Sequence, residues 1–82
     1  MTYPVKIETK EDLYRFSELA SQEDFSIYLS TSSGLLDAKS ILALFTILGK
    51  EVNLVAPDHV DAIKFGKFIE KISKWFLSSM TI

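Results

Sequence analysis

His59 is the one histidine in the chain, and histidine is the side chain whose charge changes nearest neutral pH. It is the group that would accept a phosphoryl unit or serve as a general base. Its setting opposes the first role. Asp58 and Asp61 flank it in the segment APDHVDA, and two carboxylates repel an incoming phosphoryl donor. An exposed residue at a helix start is the plainer account. The chain has no cysteine, which removes disulfides, thiolate metal sites and cysteine nucleophiles together. One histidine without cysteine gives no recognisable metal cluster. No convergent set of nucleophile, base and oxyanion donors can be assembled. No catalytic residue, metal or cofactor is therefore expected, and the chain does not read as an enzyme.

Ser40 raises a different chemistry. In LLDAKSILALFTILG, residues 35–49, a hydroxyl preceded by Lys39 stands at the entrance of an apolar run. A serine at a helix N-cap accepts from the unpaired amides of the first turn, and that is enough to explain its presence. Physics also allows a phosphate there, where it would meet aligned amide dipoles and Lys39. Glu11 and Asp12 suit the first turn of another helix, where acids complement the dipole.

The bulk numbers bound the partners. The chain has 82 residues, 48% of them hydrophobic and 24% charged, and a formal net charge of −2. That is ordinary globular composition, and the length predicts one domain spanning 1–82. Nothing in the charge favours nucleic acid. The apolar run ILALFTIL is far shorter than the ~20 residues that cross a bilayer, and MTYPVKIETKED is polar from the start. A cytoplasmic protein with neither nucleic-acid nor membrane partners is expected.

The elements that must position these residues follow from periodicity. YPVKIE alternates, with Tyr3, Val5 and Ile7 on one face and Pro4 suited to an edge strand. TKEDLYRFSELASQ predicts a helix with Leu13, Phe16, Leu19 and Ala20 as its buried stripe. DFSIYLS alternates again, with Phe25, Ile27 and Leu29 inward. TSSG is a turn in which Gly34 can take a positive φ, and LLDA returns as a strand. SILALFTIL predicts a short helix capped by Ser40 and closed by Gly49. EVNLVA is a fourth strand. PDHVDAIKFGKFIEKISKWF predicts the longest helix, capped by Asp58, with Ala62, Phe65, Ile69, Ile72 and Phe76 inward and Lys64, Lys67, Lys71 and Lys74 on the opposite face. The order βαββαβα predicts an α+β fold: a four-stranded antiparallel sheet, open on one face, with three helices on the other.

This order, with DAKSILALFTILGKEVNLVA at its centre, resembles HPr, the small phosphocarrier protein of the bacterial sugar phosphotransferase system. Lys39-Ser40-Ile41 resembles the Lys-Ser-Ile stretch that opens the family's short second helix. Glu51 to Ala56 looks like its fourth strand, and Asp61-Ala62-Ile63 like the start of its last helix. The resemblance implies the open-faced two-layer sandwich, protein partners from the phosphotransferase system or catabolite regulation, and docking on the surface around the second helix. It also implies that Ser40 matches the serine that a dedicated kinase phosphorylates in many Gram-positive bacteria. One departure outweighs these matches. The family's phosphoryl-accepting His lies in a Gly-x-His-Ala-Arg-Pro segment between strand one and helix one. Here that place reads IETKEDLYRF, with no Gly, His or Pro.

The second helix has more apolar residues than one buried stripe can hold. Ile41, Leu42, Leu44, Phe45, Ile47 and Leu48 all lie within it, and a short helix buries about half its surface against a sheet. Part of the set Ile41, Leu42, Phe45 and Leu48 should be exposed, giving with Lys39 a docking surface or simply a greasy one. Phe68 and Trp75 fall on a flank of the last helix, covered by the tail or by a second copy in a homodimer. The leading expectation is a divergent HPr-like protein without the phosphoryl-accepting His, acting as a non-catalytic docking or regulatory module. The alternative is a phosphocarrier that uses His59.

Overall fold

The computed structural model describes the backbone of residues 2–80 and the side chains of residues 2–74. The elements are β1 (Thr2–Lys6), α1 (Lys10–Ser21), β2 (Tyr28–Thr31), β3 (Gly34–Asp37), α2 (Ile41–Thr46), β4 (Glu51–Val55) and α3 (Ala62–Met80), in the expected βαββαβα order. The strands form one sheet in the order β1-β4-β2-β3, with each neighbouring pair antiparallel. β4 therefore inserts between β1 and β2, which run parallel without touching. Two crossovers interleave, one through α1 and one through α2, and the helices cover one face of the sheet.

The alternation in each strand now has a register. Tyr3 pairs with Leu54, Leu54 with Leu29, and Leu29 with Leu36. Paired residues share a face, so this row crosses all four strands on the inner side. Its two central leucines are fully buried. The next row outward in sequence, Pro4, Asn53, Ser30 and Leu35, faces away from the helices. Pro4 sits on the edge strand β1, where a missing N–H is tolerated. Onto the inner face α1 lays Leu13, Phe16 and Ala20, and α3 lays Phe65, Phe68 and Ile72. The Phe16 and Phe68 rings meet edge to face with centroids 6.1 Å apart. Thr9 begins α1: its Oγ1 accepts the Asp12 N–H at 3.1 Å, as the acidic first turn required.

Four details differ from the sequence reading. β2 begins at Tyr28, because its partner β4 ends at Val55, opposite Tyr28. The inward alternation of Phe25 and Ile27 persists outside the ladder, with the Ala38 N–H donating to the Ile27 carbonyl. α2 ends at Thr46, and Ile47 is its C-cap in place of Gly49. Gly49, at φ +81°, donates its N–H to the Ile7 carbonyl at 2.7 Å, which ties the turn to the end of β1. α3 begins at Ala62, since residues 57–60 form a turn that buries Val60. Asp61, not Asp58, receives the first amides: its Oδ1 accepts from Ile63 at 2.8 Å and its carbonyl from Phe65 at 3.1 Å.

The fourth correction is the phase of α3. Phe68 is fully buried, Ile69 only partly, and Ala62 is exposed. The helix packs against α1 as well as the sheet, and Phe68 turns toward Phe16. A stripe chosen for a sheet alone misses that second neighbour. The side chains of Trp75 and Phe76 lie outside the described residues.

Two glycines separate backbone strain from helix propensity. Gly34 closes the β2–β3 hairpin at φ +125°, with nothing within 4 Å of where a Cβ would stand. Thr31 Oγ1 donates to the Gly34 carbonyl and accepts the Ser33 N–H. Gly34→Ala should lower stability by about 1–2 kcal/mol through backbone strain alone. Gly66 lies inside α3, also with open space at its Cβ. Gly66→Ala should raise stability by about 1 kcal/mol. Urea unfolding of the two variants checks the opposite signs.

Candidate docking site

α2 has only six residues, and it buries Leu44 while Ile47 follows it into the core. Its other apolar side chains face outward. Leu42 is 81% exposed, Ile41 41% and Phe45 37%. Leu48 is half-buried, so it offers less surface than the sequence reading gave it. From α1, Tyr14 reaches the same place. It is 51% exposed, and its ring meets Phe45 edge to face at 6.1 Å. The surface is thus built by two helices, with Tyr14, Ile41, Leu42 and Phe45 as its apolar members. Residues 40–49 include no charged side chain. On the α1 side, Arg15 Nη1 pairs with Glu18 Oε1 at 3.5 Å.

Tyr14 was absent from the sequence reading. Its signal was present but incomplete: an aromatic lying off the buried stripe of an amphipathic helix. Only the packing of α1 beside α2 shows what it joins.

Ser40 stands at the N-cap with extended backbone, φ −92° and ψ 115°. Its Oγ accepts the Ala43 N–H at 3.3 Å, and its carbonyl accepts the Leu44 N–H at 3.0 Å. Lys39 is held differently from the expectation. Its N–H donates to Asp37 Oδ1 at 2.9 Å, and its ammonium donates to the Glu23 carbonyl at 2.9 Å. The ammonium is committed to the segment after α1 rather than waiting beside the serine.

The connection from β1 to α1 is short. Ile7 is buried, and Glu8 and Thr9 are exposed. Thr9 takes the Asp12 amide on its hydroxyl and the Leu13 amide on its carbonyl. Glu11 and Asp12 add negative charge to that helix end. His59 lies exposed in the turn before α3, with Asp58 and Asp61 exposed beside it. Among the described residues, no group of three or more His, Cys, Asp or Glu could hold a metal ion. Nor is any helix among them long and apolar enough to cross a membrane. A shallow hollow lies along the β1–β4 pair, lined by Pro4, Val5, Lys6, Glu51, Val52 and Asn53.

The cap geometry sets an expected cost. Ser40→Ala should destabilise the protein by about 1 kcal/mol, and Ser40→Asn or Ser40→Asp by much less, because either side chain can accept the same amide. Thermal melts of the three variants compare them directly.

No family model and no curated protein sequence matches this chain. Solved structures do resemble it. HPr-C-His from Thermoanaerobacter tengcongensis superposes with a TM-score of 0.67 over 89% of this chain and 91% of that one, at 17% identity. The phosphocarrier protein HPr from Bacillus anthracis str. Ames superposes with a TM-score of 0.65 over 92% and 94%, at 16% identity. Likeness at such low identity speaks for architecture, and the architecture of this chain is the HPr fold.

Proposed function

We propose that this chain is a divergent HPr-like module that works by docking proteins, without carrying a phosphoryl group. The observation that supports this is the exposed apolar surface of α2, with Leu42 beside the Tyr14–Phe45 ring pair. An exposed apolar patch with polar neighbours is a signature of protein contact. Ile41, Leu42, Phe45 and Leu48 are the contact set, and Tyr14 joins them. The partners are proteins, from a phosphotransferase system or catabolite regulation if the fold likeness extends to pathway. The setting is the bacterial cytoplasm; the homodimer contact expected on the flank of α3 loses Phe68, which is fully buried.

The reading without phosphoryl transfer is supported at the start of α1. Residues 8–16 contain no histidine, and the helix end is filled by the Thr9 cap and the carboxylates of Glu11 and Asp12. Their charge opposes a phosphoryl anion there. Ser40 is the proposed regulatory phosphorylation site. A phosphate would place about two negative charges beside an uncharged apolar surface and so change which partners it accepts.

The test is direct. The protein is incubated with phosphoenolpyruvate and the general phosphotransfer enzyme of the system, and acid-labile label is measured. No label is expected. Stoichiometric label would overturn the proposal, and label lost in His59→Ala would establish a phosphocarrier with a displaced acceptor. For Ser40, incubation with the family's serine kinase should give acid-stable phosphate that is lost in Ser40→Ala. Its absence would leave Ser40 as a cap alone.

A further inference from the structure

The residues Glu23 and Asp24, just beyond α1, are gripped from two directions. Lys71 of α3 donates to Glu23 Oε2 at 3.1 Å, and Lys64 of α3 pairs with Asp24 Oδ2 at 3.2 Å. The Glu23 side chain is only 15% exposed. From the other side comes Lys39, whose ammonium donates to the Glu23 main-chain carbonyl at 2.9 Å in a part-buried contact. The Glu23 N–H in turn donates to the Ala20 carbonyl of α1. One short segment thus joins the end of α1, the first half of α3 and the residue just before α2.

We propose that Lys39 is a positioning residue: its ammonium, anchored on the Glu23 carbonyl, holds the first turn of α2 against the end of α1. The local backbone makes the link stiff. The Lys39 N–H is fixed on Asp37 Oδ1 and the Ser40 N–H on the Asp37 carbonyl. Ser40 then caps the helix directly. Where the ammonium is held, the start of α2 is held. The tether matters because α2 has few other anchors. It is six residues long, far below the length at which a helix persists by itself, and Leu44 is its one buried residue. The carbonyl end of α1 also favours a cation, since the helix dipole is negative there. Lys39 therefore sets the geometry of Leu42 and Phe45 against Tyr14 without belonging to the surface they form.

The consequence for docking rests on the reading proposed above, but the tether does not. It can be measured with no partner present. Amide hydrogen exchange is followed across the chain in Lys39→Met, which keeps the aliphatic stem and removes the charge. Exchange over residues 38–46 should quicken about fivefold, the worth of one ordinary hydrogen bond, and α3 should be unchanged. Contact between the Tyr14 and Phe45 rings, read from their nuclear Overhauser effects, should weaken in parallel. Lys39→Arg should restore both, because a guanidinium can reach the same carbonyl. Lys67→Met, on the outer face of α3, controls for loss of charge alone. Should Lys39→Met fail to fold, Lys39→Gln at low temperature supplies the same comparison. Unchanged exchange over 38–46 in a folded variant lacking the charge, or equal quickening in Lys67→Met, would overturn the proposal. A tether that holds while no docking partner exists would leave this inference standing and defeat only the reading of the surface.

Discussion

The sheet has one dry face, and the rest of the molecule is arranged to cover it. The row Tyr3, Leu54, Leu29 and Leu36 spans all four strands, and its central residues reach no solvent. Two long helices do most of the covering. α1 and α3 lie on the sheet and lock to each other through Phe16 and Phe68. β4 must enter between β1 and β2 for this to work, so the chain returns through a short helix. α2 is that return. It contributes one buried side chain and leaves three large apolar ones outside. The exposed patch thus follows from the topology together with a sequence that did not turn this helix polar. A protein under no demand at that surface would be expected to place charges there, as α1 and α3 do on their outer faces.

Much of this was legible from residue patterns. Strict alternation in YPVKIE, FSIYLS and EVNLVA gave the strands and their inner faces, because side-chain direction has a period of two. The cap at Ser40 and the acids at Glu11 and Asp12 marked helix starts. The surplus around α2 was readable by counting, since residues 41–48 carry six large apolar side chains and a helix so short cannot hide them all. Other features depended on neighbours distant in sequence. The phase of α3 turned on Phe16, and the true start of β2 on where β4 ends. Tyr14 could not be assigned to the patch until α1 lay beside α2. The direction of the Lys39 ammonium was invisible too: a cation beside a serine suggested a phosphate partner, and the structure gives it a carbonyl after α1.

The likeness to HPr structures bears on architecture, and function resides in the site built on it. In this chain the start of α1 is capped by a threonine hydroxyl and carries carboxylates, while the apolar surface of α2 is open. The two features lie on the helical side of the sheet, and the proposed docking reading rests on both.

The central claim is that this surface, and not apolar exposure in general, meets a partner. A photo-crosslinking residue placed at Leu42 in the native cell tests it, with Leu35 and Ile63 as controls. Those two are 60% and 68% exposed and lie on β3 and α3. The account predicts one discrete adduct from position 42 and none from the other two. No adduct at 42, or the same adducts from all three positions, would contradict it.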